Sequence, residues 1–383
     1  MNRRVVILTE IIAPYRIPVF NALARFDGID LHVIFLAETD ATTRGWLVYK
    51  NEIRFSHQVL PSYRTRLFGK NILLNVGIGA ALRKARADVI ICGGYNYVAF
   101  WRAWFWSRRH EVPFLLWAES NARDRRRNAQ WIEHLKSVFI RRCDGFVVPG
   151  AASREYLKSF NIAEERVFTA PNAVDNGLFE AIAGDTRRDA AKWRLQLGLP
   201  QRFFLFVGRL VRAKGVFDLL RAYNAMDAQL RNQIGLVFVG GGDARAELER
   251  LARNFKSVSI QFSGFVQRDN LARYYALAEA LIFPTHSDPW GLVVNEGMAC
   301  GLPVVCTEAA GCATDLVRDL WNGRIIPSGD VKQLTQALDE MGSDLGRSQA
   351  MGENSRNLIR NFSPEICARG IAEAISLTAR VNE

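Results

Sequence analysis

The chain has 383 residues, of which 49% are hydrophobic and 23% are charged, and this composition excludes a disordered or fibrous protein. At roughly 100 to 200 residues per domain, the length predicts two domains. The 50 basic and 39 acidic residues give a formal charge of +11, which favours an anionic partner such as a nucleotide, an acidic lipid surface or nucleic acid. No run of about 18 uncharged apolar residues occurs, so the sequence predicts no membrane-spanning helix.

Short apolar runs in the first half of the chain alternate with helical patterns, which is typical of βαβ units. The runs are continuously apolar, so we expect helices on both faces of a doubly wound parallel sheet. The predicted strands are Val5–Thr9, Leu31–Leu36, Asp88–Cys92, Phe114–Trp117 and Gly145–Val148, and the predicted helices include Ile17–Phe26 and Asn71–Arg86.

A break in this alternation is predicted around Asn176–Arg188, where Gly177 and Gly184 interrupt the pattern, and a second series of strands follows. Those strands are predicted at Phe203–Val207, Leu236–Val239, Val258–Phe262, Ala280–Phe283, Val304–Cys306 and Arg324–Ile326. The sequence therefore predicts an α/β protein with two Rossmann-like domains, 1–180 and 181–364, that face each other across a cleft. The stretch 365–383 is helical by pattern, and one interpretation is that it packs back on the first domain.

A basic segment comes directly after the predicted strand Phe203–Val207. It contains Gly208, Arg209 and Lys214. Ligands of open α/β sheets bind at the carboxyl ends of strands, so Arg209 and Lys214 stand where an anion would bind. A guanidinium fork and a compact ammonium suit a diphosphate, and they can stabilise the charge of a departing one. A solvated basic loop is the alternative.

A second segment follows the strand Ala280–Phe283. Asp288 lies in its loop, a helix is predicted to begin near Gly291, and Glu296 lies one turn inside that helix. Free N–H groups at a helix start bind anions. The two oxygens of Glu296 can accept hydrogen bonds from two neighbouring ribose hydroxyls, and Asp288 can accept from a sugar hydroxyl. Alternatively, Glu296 only follows the acidic preference of early helix turns.

Together, these two segments resemble the retaining glycosyltransferases of family 4, also called glycosyl transferases group 1, and their GT-B fold. The family pattern is an Arg and a Lys on the diphosphate, then E-x7-E, with the first Glu beside the donor hexose and the second on the ribose. Arg209 and Lys214 match the cations and Glu296 matches the second Glu. Asp288 replaces the first Glu, with a shorter arm. The resemblance implies that these four residues are catalytic.

The resemblance extends from about residue 144 to 362. Gly264-Phe265-Val266 is similar to the segment whose backbone contacts the base, and the loop with Gly311 is similar to the one that approaches the donor. Gly240 fits a loop near the nucleotide or a plain turn. The implied donor-binding residues are Gly208, Arg209, Lys214, Gly240, Phe265, Val266, Asp288, Trp290, Gly291, Leu292, Glu296 and Gly311.

In the first domain, the family often has Gly-Gly after strand one, whereas this chain has Pro14, Tyr15 and Arg16 there. Arg16 either reaches the cleft as a cation for an acceptor or donor phosphate or lies on the surface. Glu119 or Ser120 stands where the family has a sugar-contacting His. The resemblance implies a mechanism in which a donor phosphate oxygen takes the acceptor proton.

The stretch Tyr95–His110 is dense in aromatic residues and ends in arginines. It is either a helix that lies on an anionic membrane, with Arg123–Arg127 adding attraction, or a buried helix of the first domain. The first alternative implies a lipid-linked saccharide acceptor. We expect a cytoplasmic protein, peripheral on the cytoplasmic face of the inner membrane if that alternative holds.

The expected activity is transfer of a hexose from a UDP- or GDP-sugar to a saccharide or lipid-linked acceptor in bacterial cell-surface glycan synthesis. We expect no cofactor and no metal, because the sequence contains no Asp-x-Asp pair, and we expect the six cysteines to be buried free thiols. A nucleotide-sugar 2-epimerase of the same fold is the alternative. Nucleic-acid binding is disfavoured because no known module is present, and a dehydrogenase because no G-x-G-x-x-G follows the first strand.

Overall fold

The computed structural model describes residues 2–40, 45–67, 70–122, 130–255 and 259–380. The chain divides into two compact units. The first contains Met1–Ala173 together with Pro364–Glu383, and the second contains Val174–Ser363.

The first unit is built on a seven-stranded sheet in the order β3-β2-β1-β6-β7-β8-β9. All six pairings in this sheet are parallel. Its strands are β1 (Arg3–Thr9), β2 (Ile29–Phe35), β3 (Ser56–Val59), β6 (Val89–Cys92), β7 (Phe114–Trp117), β8 (Gly145–Val148) and β9 (Val167–Thr169).

Helices cover both faces of this sheet. Val6 and Leu8 of β1 lie in the core beneath one set of helices, and Val5 and Ile7 lie in the core on the other face. The first set is α2 (Ile78–Ala85), α3 (Val98–Arg109), α4 (Gln130–Arg141) and α5 (Ala151–Lys158), and the other face carries α1 (Ile17–Leu23) and α16 (Pro364–Arg380). Burial on both faces is the reason that the inner strands β6, β7 and β8 are continuously apolar.

A hairpin replaces the first part of the helix that the sequence predicted over Asn71–Arg86. The strands β4 (Ser62–Leu67) and β5 (Lys70–Asn75) pair antiparallel, and the helix α2 begins only at Ile78. Leu73 is buried while Leu74 is exposed, so burial alternates along this segment as in a strand. Gly77, with φ of +83°, separates the strand from the helix.

The second unit is built on a six-stranded parallel sheet in the order β12-β11-β10-β13-β14-β15. Its strands are β10 (Phe203–Val207), β11 (Gly235–Val239), β12 (Ile260–Gly264), β13 (Ala280–Phe283), β14 (Val304–Thr307) and β15 (Gly323–Ile326). The strand predicted from residue 258 begins two residues later, and residue 258 itself lies outside the described residues. This strand order is that of a doubly wound dinucleotide-binding sheet.

The helices of the second unit also form two layers. A core that contains Phe204 and Phe238 lies beneath α8, α10 and α14. The helix α12 packs against the strands β13 and β14 and the helices α6, α11 and α15. The helices of this unit are α6 (Asn176–Arg188), α7 (Ala190–Leu197), α8 (Val216–Ala225), α9 (Ala228–Gln233), α10 (Arg245–Ala252), α11 (Arg268–Leu277), α12 (Leu292–Ala299), α13 (Ala313–Leu316), α14 (Val331–Ser343) and α15 (Leu345–Ile359).

The break that the sequence predicted at Asn176–Arg188 is wrong, because the whole stretch is the helix α6. Asp175 caps it by accepting a hydrogen bond from the Leu178 N–H at 2.9 Å. Its buried Phe179 and Ala183 lie on the face that packs on α11 and α12. Tertiary packing therefore overrides the helix-weakening effect of the two glycines.

As a result, the second unit begins at Val174, seven residues before the predicted boundary at 181. The last helix α16 belongs to the first unit, where it packs on α1, β8 and β9. Gly370 of α16 approaches the backbone closely, since a Cβ there would stand 2.1 Å from the Thr169 carbonyl oxygen.

Candidate functional site

The residues that the sequence predicted for the donor lie at one edge of the second sheet. β10 and β13 are neighbours in the sheet but are separated in the chain by β11 and β12, so the strand order reverses between them. Arg209 and Lys214 follow β10, and Asp288 and Glu296 follow β13. Both loops therefore leave the carboxyl ends of strands at the topological switch point, where open α/β sheets bind ligands.

Two glycines allow the loops after β10 and β11 to touch. Gly240 has φ of +137°, and a Cβ on it would stand 1.9 Å from the Gly208 carbonyl oxygen. The Gly208 N–H donates to the Val239 carbonyl at 3.0 Å, and the Gly240 N–H donates to the Gly264 carbonyl at 2.7 Å. The plain-turn interpretation of Gly240 therefore misses a close backbone approach that only glycine permits.

Lys214 ends a short 3₁₀ turn and points into the edge of the sheet. Its ammonium forms an ion pair with Asp288 and donates to the Ser287 carbonyl at 3.3 Å. The two paired side chains are only 13% and 18% exposed. The next residue, Gly215, has φ of +68°, and a Cβ there would stand 1.8 Å from the Pro284 carbonyl oxygen. The loops that follow β10 and β13 thus hold Lys214 between them.

Arg209 differs from Lys214, because its side chain is exposed. The backbone around it is fixed, since the Leu210 N–H donates to the Gly241 carbonyl at 2.8 Å. Arg209 is therefore an accessible cation on the same loop as the partly buried cation of Lys214.

The loop between β13 and α12 is held to the loop that follows β14. The Gly311 N–H donates to the Asp288 carbonyl at 3.0 Å, and the Trp290 N–H donates to Asp288 Oδ1 at 3.1 Å. The Trp290 ring is buried, and its Nε1 donates to Asn295 Oδ1 at 2.8 Å. Asp288 therefore organises the loop through both its backbone and its carboxylate.

The helix α12 begins at Leu292, directly after Gly291, which has φ of +99°. A Cβ on Gly291 would stand 2.6 Å from the Phe283 ring, so glycine is required both by conformation and by space. The first N–H groups of a helix have no acceptor inside it, and they suit an anion. Leu292 is partly buried at this helix start.

Glu296 is partly buried on α12 and receives a hydrogen bond from a residue that the sequence analysis missed. The hydroxyl of Tyr275, on α11, donates to Glu296 Oε2 at 2.7 Å. Burial raises the pKa of Glu296 to about 7, against the lowering effects of the Tyr275 hydrogen bond and of the charge of Arg268. The carboxylate therefore lies in an environment where its charge is costly.

Phe265 and Val266 follow β12. Phe265 is 54% exposed, and Val266 is partly buried. The preceding Gly264 has φ of +73° and links this segment to Gly240 through the backbone hydrogen bond given above. The segment therefore lies at the same edge of the sheet, beside the loop that follows β11.

The first-unit candidates also lie at the carboxyl edge of their sheet. Arg16 forms an ion pair with Glu119, so the structure brings these two predicted residues together. The guanidinium lies 3.9 Å from the Trp117 ring centroid and 5.7 Å from that of Tyr15. Burial by itself lowers the pKa of Arg16. The charges of Glu119 and Tyr15 raise it, and the pKa of Arg16 lies above its ordinary value. The adjoining Pro14 is buried.

Ser120 and two tyrosines complete this edge. The hydroxyls of Tyr95 and Ser120 are 3.2 Å apart, and the Tyr97 hydroxyl donates to Glu10. Glu10 follows β1 and Tyr97 follows β6, so their hydrogen bond spans the point where the strand order of the first sheet reverses. Burial and the contact with Glu10 raise the pKa of Tyr97.

Two family models match the chain. The model described as Glycosyltransferase Family 4 matches residues 19–177, and the model described as Glycosyl transferases group 1 matches residues 187–358. The chain is a group 1 glycosyltransferase of the GT-B fold. The second match falls inside the second unit and includes Arg209, Lys214, Asp288 and Glu296.

Solved structures share the fold of this glycosyltransferase over nearly its whole length. Sucrose-phosphate synthase from Thermosynechococcus elongatus is 20% identical with a TM-score of 0.75, and the match covers 99% of this chain and 100% of that chain. Anabaena HepE in complex with UDP and glucose is 19% identical with a TM-score of 0.76, and the match covers 97% and 99%.

Curated relatives match this glycosyltransferase over part of their length. The Escherichia coli O-antigen chain mannosyltransferase C is 28% identical over 54% of this chain and 52% of the relative. A D-inositol 3-phosphate glycosyltransferase from Salinispora arenicola is 31% identical over 57% of this chain and 51% of the relative. The chain thus spans about half the length of these relatives.

The aromatic segment of the glycosyltransferase forms the helix α3, and most of its large side chains face the core. Phe100 and Trp104 are buried, and Trp101 and Trp104 both contact the Phe139 ring of α4. Phe105 remains 61% exposed. The buried-helix alternative accounts for most of the aromatic residues. The arginines at 123–127, which were expected to add attraction to an anionic membrane, lie outside the described residues.

His286 is another residue that the sequence analysis missed. Its ring contacts Asp218 of α8 at 3.0 Å and the Ser328 hydroxyl, after β15, at 2.9 Å. It therefore ties the loop of Asp288 to two other elements. Neither His286 nor Tyr275 belongs to the family pattern, and their sequence neighbours gave no signal, because both act through contacts between elements distant in the chain.

The six cysteines of the glycosyltransferase are free and buried, as expected, and burial raises the pKa of the Cys306 thiol to about 12. The described ranges hold no cluster of three or more His, Cys, Asp or Glu side chains arranged for a metal ion. Among the helices of those ranges, none has the length and apolar character needed to cross a bilayer.

Proposed function

We propose that this glycosyltransferase moves a hexose from a UDP- or GDP-sugar to a saccharide or lipid-linked acceptor in bacterial cell-surface glycan synthesis, with retention of anomeric configuration. The observation that carries the proposal is the convergence of Arg209, Lys214, Asp288 and Glu296 on the switch point of the second sheet. Two cations and two carboxylates there match the two chemical parts of a nucleotide sugar, its diphosphate and its hydroxyls.

In this proposal, Arg209 and Lys214 bind the diphosphate beside the first turn of α12. The bond between the hexose C1 and the diphosphate oxygen breaks, and the electron pair leaves with the diphosphate. Fixed cations stabilise that developing charge because they are already in place when it forms. They supply the positive charge that a metal ion would otherwise supply, so we propose a metal-independent reaction. Activity that survives chelator treatment and does not respond to Mg²⁺ or Mn²⁺ would support it.

The hydroxyls of the donor are assigned to the carboxylates. Glu296 accepts from the ribose hydroxyls, and Asp288 lies on the hexose side. The acceptor hydroxyl bonds to C1, and its proton passes to an oxygen of the departing diphosphate. The complexes of HepE with UDP and glucose support a nucleoside diphosphate donor, and the name of the Escherichia coli mannosyltransferase supports a hexose and a polysaccharide product.

The acceptor is assigned to the first unit, at the edge with Arg16, Glu119 and Ser120. The pairing of Arg16 with Glu119 leaves little net positive charge from these two residues for an acceptor phosphate. Hydroxyl-rich saccharides suit this edge, since carboxylates and the phenols of Tyr95 and Tyr97 are hydrogen-bonding groups.

We also propose a cytoplasmic protein that touches the cytoplasmic face of the inner membrane. The support is the outward stripe of α3, where Val98 and Phe105 are 55% and 61% exposed and Arg102 and Arg109 are exposed between and after them. Apolar side chains beside arginines suit the headgroup layer of an anionic bilayer. Sedimentation with phosphatidylglycerol vesicles should show binding that weakens with salt, and Phe105→Ser should reduce it.

The test of the main activity is a thermal-shift panel of UDP, GDP and their hexose conjugates, because a ligand that binds only the native state raises the melting temperature. The donor that binds is then incubated with the enzyme and candidate saccharides, and the product is examined by NMR for its anomeric configuration. An inverted anomer contradicts retention. If the enzyme, incubated with the donor alone, changes the configuration at C2 of the donor sugar, the result would favour the epimerase. No response to any nucleotide refutes the proposal.

A further inference from the structure

A buried tyrosine contacts the carboxylate that is assigned to the donor ribose. Tyr275 lies on α11, is fully buried, and donates its hydroxyl hydrogen to Glu296 Oε2 at 2.7 Å. A hydroxyl of this kind has one hydrogen, and here it is directed at a single carboxylate oxygen. This hydrogen bond does not engage the other carboxylate oxygen, Oε1.

We propose that Tyr275 is a positioning residue for donor binding, which fixes the Glu296 carboxylate in its ionised form and in the orientation that accepts the ribose hydroxyls. The inference rests on the proposed function, because it takes the ribose as the ligand of Glu296. Tyr275 itself does not touch the donor in this arrangement.

The hydrogen bond matters because Glu296 lies in surroundings that disfavour its charge. Burial raises its pKa, and the Tyr275 hydroxyl and the Arg268 charge act in the opposite direction. Cys300, one turn further along α12, also lies near both groups. The nearby cation Arg187 of α6 interacts with Cys300: its guanidinium donates to the Cys300 carbonyl at 2.5 Å.

Loss of the hydroxyl in Tyr275→Phe removes the group that stabilises the ionised carboxylate. The pKa of Glu296 then rises above its value of about 7. If that loss makes the carboxyl a tenfold weaker acid, its ionised fraction at pH 7 falls about fivefold, which weakens donor binding about fivefold. Near pH 9 most of the carboxylate is ionised in both proteins, and the difference shrinks to less than about twofold.

The experiment measures the dissociation constants of UDP-glucose and GDP-mannose from pH 6 to pH 9 by isothermal titration calorimetry. Both are phosphate diesters, so they lack the phosphate ionisation near pH 6 that free UDP and GDP carry. The donor that binds the unaltered enzyme is then measured with Tyr275→Phe, with Glu296→Gln and with the double variant. The analogue of that donor with a 2′-deoxynucleoside separates effects at the ribose from effects elsewhere.

Tyr223→Phe is the matched control. Tyr223 is also a fully buried tyrosine of the second unit, and its hydroxyl donates to the Ile234 carbonyl at 2.7 Å, away from Glu296. It reports what the loss of a buried phenol hydroxyl does to the fold alone.

We expect about fivefold weaker binding by Tyr275→Phe at pH 7, recovery near pH 9, no further loss when Glu296→Gln is already present, and a smaller effect with the 2′-deoxy analogue. The control should bind as the unaltered enzyme does at every pH. A loss by Tyr275→Phe that is equal at all pH values, or equal for both ribose forms, overturns the inference and leaves the proposed function standing. Failure of UDP, GDP and all their hexose conjugates to bind the unaltered enzyme instead overturns the proposed function and the inference with it.

Discussion

Replacement of Lys214 by methionine tests the role of the partly buried cation most directly. Lys214→Met keeps most of the apolar stem, so it removes the ammonium without opening a large cavity. Two consequences follow from the structure. Asp288 loses its ion-pair partner, and the proposed diphosphate loses one of its two cations.

The cost in stability can be worked from the exposure of the pair. Removing one partner of a fully buried ion pair costs about 3–5 kcal/mol, whereas an exposed pair contributes about 0–1 kcal/mol. With side chains 13% and 18% exposed, the pair of Lys214 and Asp288 lies between these limits. We therefore expect a loss of about 2 kcal/mol, which lowers the melting temperature of a unit of this size by roughly 4–8 °C.

The cost in turnover is larger. Removal of one preorganised group that stabilises transition-state charge typically lowers kcat by about 10²–10³. The assay follows release of the nucleoside diphosphate from the donor identified by thermal shift, and calorimetry measures the melting temperature. Lys332→Met, at an exposed lysine of α14, is the matched control and should change neither quantity.

A second variant separates stability from catalysis. Lys214→Met combined with Asp288→Asn removes both charges of the pair, so it should regain most of the lost stability but none of the turnover. The reasoning about the leaving group is refuted if Lys214→Met is destabilised as expected while its kcat stays within tenfold of the unaltered enzyme.

Three further predictions concern other parts of the molecule. Gly240→Ala should lower the melting temperature by several degrees and abolish donor binding, because its Cβ would stand 1.9 Å from the Gly208 carbonyl oxygen, whereas Gly184→Ala, in a helix with open space around it, should stabilise by about 0.5–1 kcal/mol. Glu119→Gln should raise the KM of the acceptor and leave that of the donor unchanged, since Glu119 pairs with Arg16 in the first unit; equal changes in both contradict the assignment. The six buried cysteines should not react with a thiol reagent such as DTNB until the protein unfolds, and fast reaction of the native enzyme would contradict their burial.

The inner strands of both sheets were predictable because of their burial, whereas the edge strands β3 and β9, which are less buried, were missed. β7, β8, β10 and β13 have the bounds that the continuous apolar runs predict, since each is buried on both faces. The β4–β5 hairpin was missed because Leu73 and Leu74 lie in an apolar run whose helical and strand periods are hard to separate over six residues.

The break predicted at α6 was wrong for a different reason. Its glycines weaken a helix locally, and only the partners of Phe179 on α11 and α12 compensate. The second unit of the structure includes this whole helix, which begins at Asn176, whereas the predicted division at 181 falls inside it. Local sequence does not reveal which distant helices will cover an apolar face.

At the candidate site, the sequence predicted the residues at the edge but not the contacts between them. Arg209, Lys214, Asp288 and Glu296 were recognised from their position after strands and from the family pattern. The partners Tyr275 and His286 come from other elements, and no spacing rule connects them to the site. The prediction that the donor binds at these residues remains to be tested by the variants above.

The ion pair at Lys214 also affects the entropic cost of binding a donor in the proposed function. The ammonium is held by Asp288 and the Ser287 carbonyl, so little of its side-chain entropy is left to lose on binding. Under the proposed function, the incoming diphosphate would add to or replace one of these contacts, and it would meet the exposed Arg209 from solvent. A glutamate at position 288 would carry the carboxylate one methylene further from the loop, and the pair with Lys214 would have to rearrange. The aspartate that departs from the family pattern is therefore suited to hold Lys214 in place, with its backbone joined to Gly311 and its second carboxylate oxygen bound to the Trp290 N–H.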